Sequence, residues 1–169
     1  MILSGAILLL ALLSILNAFA AATCTAAQRL ASSEQAVYDY NLSPAASDVA
    51  FTQLPFAENC QISIAADGLP AVPVAVDRTT AVAFTIYSRD LFSSVTGEYL
   101  DFPANGTTVI TTNVTLGVLG IITVPVTYSA HVYLDYNTDC EIVNVRAFAQ
   151  IPSQVLGLLI NPPSLLGIL

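Results

Sequence analysis

Residues 127–150 read TYSAHVYLDYNTDCEIVNVRAFAQ. Apolar and polar side chains alternate through both halves of this segment, which is the pattern of two half-buried β-strands. The turn-forming residues 137–139 separate the halves, so the segment predicts a β-hairpin. One face of its first strand carries the apolar residues Val124, Val126, Tyr128, Ala130, Val132, Leu134 and Tyr136. We expect that face to be buried.

The chain's one histidine, His131, falls on the opposite, polar face of the same strand. A two-residue turn at Thr138-Asp139 pairs His131 with Arg146, and Tyr133 with Asn144. Four strand residues span about 13 Å, so Asp135 cannot orient His131 as a triad partner. We therefore expect a surface histidine rather than a general acid or base, unless a β-bulge reverses the alternation.

The rest of the chain supplies three candidate helices, a small hairpin and further long strands. The predicted helices run from the Thr25 cap to about Tyr40, from a Ser47 or Asp48 cap to Gln53, and from the Asp77 cap through Thr79 to about Phe92. The predicted strands are Cys60–Ile64, Val72–Val76, Glu98–Phe102, Thr107–Val118, Ile121–Tyr136 and Glu141–Ile151. This order predicts an α+β fold with one antiparallel sheet. An all-β sandwich is the alternative if residues 25–41 and 79–92 are not helical.

The first 22 residues, MILSGAILLLALLSILNAFAAA, are apolar and uncharged and end in small residues. Leu8–Leu16 form the hydrophobic core of a secretory signal, and the closing alanines provide a small-x-small cleavage pattern. We expect residues 1–22 to be removed and the protein to be secreted, with residues 23–152 forming one domain. The apolar tail, 153–169, is interpreted as a lid on that domain or as a dimer contact.

Composition narrows the classes of function. The chain is 55% hydrophobic and 9% charged, with four arginines, no lysine and a net charge of −8. This balance supports a buried core and argues against binding to nucleic acid or to anionic membrane surfaces. The absence of lysine also excludes Schiff-base chemistry. Nothing in the sequence calls for a cofactor.

Cys24, Cys60 and Cys140 follow the signal segment. A secreted chain with three cysteines is expected to form one disulfide and to leave one thiol, and the spacing fits no zinc site. Asn105-Gly106-Thr107 and Asn113-Val114-Thr115 are N-glycosylation sequons, whereas a third sequon at Asn41 is weakened by the proline that follows it.

Two passages resemble a known superfamily. Leu54–Ile62, LPFAENCQI, is similar to its passage from a short helix into the first strand, and Tyr128–Tyr136 with Cys140–Gln150 is similar to its final hairpin. The chain thus resembles nuclear transport factor 2-like (cystatin-like, SnoaL-like) proteins. The resemblance implies a cone-shaped roll, in which a curved antiparallel sheet wraps around N-terminal helices and encloses an apolar pocket. It also implies a Cys60–Cys140 disulfide, because the first strand lies parallel to the last.

Pocket residues follow from this cone and from the apolar faces. We expect the pocket to be lined by Tyr38, Phe84, Tyr128, Val132 and Val145. His131, Glu34 and Asp39 are weak catalytic candidates, and both acids are interpreted as solvated helix residues. Gln150 stands where many catalytic relatives carry an acid, and an amide cannot act as a general base.

Two classes of function remain. The favoured one is a secreted, non-catalytic domain that binds a small hydrophobic ligand or a protein partner, in or over the cone; a homodimer is left open. The alternative is a secreted lyase, isomerase or cyclase of the SnoaL-like type. A buried carboxylate or histidine facing the cavity would favour the enzyme, whereas apolar groups and tyrosines alone would favour binding.

The signal segment gives the first testable prediction. Export removes residues 1–22, so the intact mass of the secreted protein should correspond to a chain beginning between Ala21 and Thr23. Recovery of a membrane-bound form that retains Met1 would contradict it.

Overall fold

The computed structural model describes residues 23–118 and 122–151. These residues form three helices and six strands, so the predicted α+β class is confirmed. The helices are α1 (Ala26–Asp39), α2 (Pro44–Phe51) and α3 (Arg78–Asp90). The strands are β1 (Phe56–Ala66), β2 (Val72–Ala75), β3 (Phe92–Phe102), β4 (Thr107–Val118), β5 (Ile122–Tyr136) and β6 (Ile142–Gln150). The predicted signal segment, 1–22, and the tail, 153–169, lie outside the described residues.

Two helices begin where the sequence predicts. Thr25 accepts a hydrogen bond from the Gln28 amide and Asp77 from the Thr80 amide, and each forms a reciprocal capping box. The second helix begins earlier than predicted. Ser43 is its N-cap and Pro44 its first residue, since a proline lacks only an amide hydrogen that the first turn does not use. Ser47 is instead buried and donates to the Asp39 carbonyl oxygen (2.6 Å).

A single sheet forms the body of the domain, with strand order β2-β1-β6-β5-β4-β3. Neighbouring strands are antiparallel except β1 and β6, which are parallel. Helix α1 packs against β3 and β4, and α3 packs against β1 and β2. The helices therefore lie along one face of a curved sheet, as in the expected cone. Within the described part of the chain no helix is long and apolar enough to cross a membrane.

The predicted alternation of the final hairpin is confirmed, but its register differs by two residues. Tyr128, Ala130, Leu134 and Tyr136 are buried and His131 is exposed. His131 pairs with Phe148 rather than Arg146, and Tyr133 pairs with Arg146 rather than Asn144. The cause is a longer turn, in which Asn137 Oδ1 accepts hydrogen bonds from two backbone amides (3.0 and 2.9 Å).

A buried ion pair ties α1 to β3. Arg29 Nε and Nη2 donate to the two carboxylate oxygens of Asp101 at 2.8 and 2.7 Å, and the side chains are 5% and 7% exposed. The hydrogen bond from the Arg29 guanidinium holds the pKa of Asp101 below its usual range. Because this pKa is lower in the folded chain than in the unfolded chain, the pair contributes stability above a pH of about 4 and loses it as acid protonates Asp101.

The expected Cys60–Cys140 disulfide is wrong. Cys24 bonds to Cys140, with 4.9 Å between their Cα atoms. Although β1 does lie parallel to β6, Gln61 pairs with Asn144. Cys60 is therefore offset by about three residues, roughly 10 Å, from Cys140. Cys140 lies in the turn before β6, whereas Cys60 is a fully buried free thiol in the core, and burial raises its pKa to about 11.

The disulfide gives a second prediction. Removing it in a Cys24→Ala/Cys140→Ala variant should lower the free energy of unfolding by about 5 kcal/mol on the chain-entropy model, for cysteines 116 residues apart. Non-reducing peptide mapping should find the Cys24 and Cys140 peptides linked, and Cys60 should react with iodoacetamide only after unfolding. A linked peptide that contains Cys60 would contradict the assignment.

Candidate functional site

A cavity of about 160 Å³ lies between the helices and the inner face of the sheet. Helices α1 and α3, the cap residue of α1 and strands β1, β3, β4, β5 and β6 all contribute side chains to its wall, and these are mostly aliphatic or aromatic. On the sheet side the wall includes several alanines, among them Ala130, Ala147 and Ala149. These small side chains do not reach the helices, and this leaves the cavity between the sheet and the helices.

The cavity contains few polar groups, and most are already paired. Tyr40 Oη is 2.8 Å from Ser88 Oγ, which donates to the Thr85 carbonyl oxygen at 3.0 Å. Since the Ser88 hydroxyl hydrogen is used in that second bond, Tyr40 is the donor in the first. Thr85 and Thr112 donate to backbone carbonyls of Val82 and Ala130 (2.8 and 3.2 Å). The Tyr128 hydroxyl has no hydrogen-bond partner among the described residues.

No group that lines the described cavity titrates near neutral pH. Its wall contains no carboxylate, histidine or cysteine among the described residues. Burial raises the pKa of Tyr40 to about 12, and burial also raises the pKa of Tyr128. Both phenols are therefore neutral at physiological pH, so they can donate hydrogen bonds but cannot act as bases.

Four predicted pocket residues, Phe84, Tyr128, Val132 and Val145, line this cavity. The fifth prediction, Tyr38, is wrong: its side chain is 60% exposed, and Tyr40 occupies the cavity wall instead. The buried stripe of α1 runs through Arg29, Ser33 and Val37. Two of these buried residues are polar. A prediction that looks for an apolar face therefore turns the wrong side of α1 toward the core.

The acidic candidates lie away from the cavity wall. Glu34 is exposed on α1. Asp39 is 1% exposed rather than solvated, and Gln35 Nε2 donates to its carboxylate at 2.6 Å. Burial raises the pKa of Asp39, but neither residue belongs to the wall described here.

His131 and Gln150 both lie on the outer face of the sheet. His131 Nδ1 is 3.2 Å from Thr111 Oγ1, and the exposed Gln150 pairs with Ser129. Asp135 is held by Arg146, Asn144 and Thr107 (2.9, 3.0 and 2.7 Å). Because Gln150 faces away from the cavity, the amide at this position carries no information about chemistry inside it. Among the described residues, no three potential metal ligands cluster.

The sequons differ in what their asparagines do. Asn105 is exposed in the β3–β4 turn, and Asn113 is exposed on the outer face of β4. The Asn41 amide instead donates to the carbonyls of Val37 and Val95 (2.8 and 2.7 Å), and its oxygen accepts from the Val95 amide. Asn41 is thus engaged in holding β3.

No protein-family model matches the sequence, and no curated protein is significantly similar to it. Solved structures do match. A cystatin-fold protein from Novosphingobium aromaticivorans is 11% identical with a TM-score of 0.51, and the match covers 70% of this chain and 96% of that chain. This chain has a cystatin-like fold. The resemblance found in the sequence is therefore confirmed at the level of the fold.

Proteins with this fold differ in function. Rv0760c from Mycobacterium tuberculosis, solved in complex with estradiol-17beta-hemisuccinate, is 14% identical with a TM-score of 0.54 (70% of this chain, 90% of that chain). BvnE pinacolase from Penicillium brevicompactum is 13% identical with a TM-score of 0.52 (73% and 84%). Since ligand-bound proteins and enzymes share the fold, only the residues of the cavity can separate the two classes of function.

Proposed function

We propose that this chain is an exported, non-catalytic domain that binds a small hydrophobic ligand in the cavity. The observation that carries this proposal is the chemistry of the wall, which is apolar and includes no described group that could exchange a proton at neutral pH. An apolar pocket with a few fixed polar groups can bind a small molecule without reacting with it.

The cavity volume limits the size of the ligand. An apolar cavity of about 150 Å³ in another protein stays dry and accepts benzene. A cavity of about 160 Å³ therefore suits a compact ligand of about six to ten non-hydrogen atoms. Helices α1 and α3 limit the cavity on the side away from the sheet. Phe84 of α3 and Tyr40 at the end of α1 bound the cavity on that side.

Export is supported by the cysteines and the sequons. The Cys24–Cys140 disulfide is typical of chains that fold outside the reducing cytosol. Asn105 and Asn113 are exposed, so both are accessible to glycosylation in a eukaryotic secretory pathway. These features agree with the signal segment predicted from the sequence.

Ligand binding gives a third prediction. Methylenecyclohexane, a neutral hydrocarbon of suitable size, should bind saturably and shift the methyl NMR signals of Ile110 and Val132, which line the cavity. Ala130→Leu places a larger side chain in the cavity and should abolish these shifts. Ala83→Leu is the matched control, because Ala83 is exposed on α3. Affinity should stay constant between pH 6 and 8, since no described wall group titrates there.

The same samples test catalysis. Incubation with 2-cyclohexenone, followed by gas chromatography, should recover the enone unchanged. If Ala130→Leu unfolds the protein, Ala147→Leu on the neighbouring strand provides a second way to fill the cavity. Product formation that is lost in Glu34→Gln, Asp39→Asn or His131→Ala would contradict the non-catalytic proposal and favour the enzyme. Shifts confined to residues outside the cavity would contradict the proposed site.

A further inference from the structure

The Tyr128 hydroxyl is the unusual polar group of the cavity. Tyr128 is 9% exposed, lines the cavity and makes no hydrogen bond with any described residue. The other hydroxyls in the wall, on Tyr40, Ser88, Thr85 and Thr112, all donate to protein atoms. The Tyr128 hydroxyl is not among the buried polar atoms that lack a partner, so it is open to the cavity and can bond to a guest there.

The position of the Tyr128 ring is fixed by its neighbours. Its ring packs edge-on against Phe92, with 6.2 Å between ring centroids, and Phe92 in turn contacts Tyr40 at 5.8 Å. Strand β5 holds the backbone, because Tyr128 pairs with Val114 in β4. Strand β5 and the aromatic cluster therefore hold the hydroxyl at one position in the cavity wall.

We propose that the Tyr128 hydroxyl donates a hydrogen bond to an acceptor oxygen of the ligand. The inference rests on the proposed function and specifies its ligand: a compact, neutral molecule with one carbonyl or ether oxygen on an apolar body. The ligand is neutral because the described wall offers no charged partner, and burying an unpaired charge is prohibitively costly. The polar specificity of the cavity thus depends on one phenol hydroxyl.

Cyclohexanone and methylenecyclohexane provide the test, because they have nearly the same shape and differ in the presence of an acceptor oxygen. In Tyr128→Phe, the affinity for cyclohexanone should fall about threefold to tenfold, as expected for one neutral hydrogen bond. The affinity for methylenecyclohexane should be unchanged or higher. Tyr133→Phe is the matched control: it also removes a phenol hydroxyl, but Tyr133 points to the outer face and does not line the cavity.

The melting temperature of Tyr128→Phe should equal or exceed that of the wild type, because the removed hydroxyl has no protein partner. The infrared carbonyl band of bound cyclohexanone should lie at lower wavenumber than in hexane. This second measurement uses the unmodified protein, so it remains decisive if the variant fails to fold.

The results distinguish a failure of the Tyr128 hydrogen bond from a failure of ligand binding in the cavity. If both probes bind and Tyr128→Phe weakens neither, or if the bound carbonyl band matches that in hexane, the inference is wrong and the hydrophobic site stands. If neither probe binds the wild type, the proposed function itself fails.

Discussion

The ion pair between Arg29 and Asp101 sets the position of α1, on which the rest of the domain depends. Its two short hydrogen bonds join the first turn of α1 to the distal part of β3, and Arg29 Nη1 also binds the Cys24 carbonyl oxygen (2.6 Å). Cys24 is in turn bonded to Cys140. Separating a buried pair leaves uncompensated charge at a cost of about 3–5 kcal/mol. A shift of α1 that parts these groups is therefore strongly disfavoured.

The cavity follows from this anchoring. With its first turn tied to β3 and to the turn before β6, α1 presents Val37 and Tyr40 to the inner face of the sheet. Phe51 and Phe92 pack beside Tyr40 at 4.8 and 5.8 Å between ring centroids and fill one end of that face. The cavity lies where Ala130 of β5 and Ala147 and Ala149 of β6 present small side chains to that face. The proposed binding site is thus the part of the core that these elements leave open.

The sequence predicts the fold well because its signals are local. The capping boxes at Thr25 and Asp77 and the alternation around His131 each depend on neighbouring residues, and the structure confirms them. Four of the five predicted pocket residues follow from the same alternation and from the stripe on α3. The resemblance supplies the cone, and the local pattern places these residues on its inner face.

The errors arise where distant parts of the chain decide the outcome. Asp39 is buried because Ser47 and Gln35 bind it, and a pattern along α1 alone does not show this contact with the next helix. Tyr40 lines the cavity instead of Tyr38 because the buried stripe of α1 begins with Arg29. The partner of Arg29, Asp101, is distant in sequence, so the pattern along α1 does not reveal it. The expected Cys60–Cys140 bond is wrong because parallel pairing fixes only the relative direction of β1 and β6. The bond also depends on how far the two strands are offset and on where Cys24 lies.

Because the described wall of the cavity is apolar, we expect the cavity to be dry and to accept an apolar guest. A crystal of the protein exposed to pressurised xenon tests it directly, since xenon enters apolar cavities of about this volume. We expect an anomalous xenon peak inside the cone, in contact with Ile110, Val132 and Ala147. Ordered waters filling that space, or xenon bound only outside the cone, would contradict it.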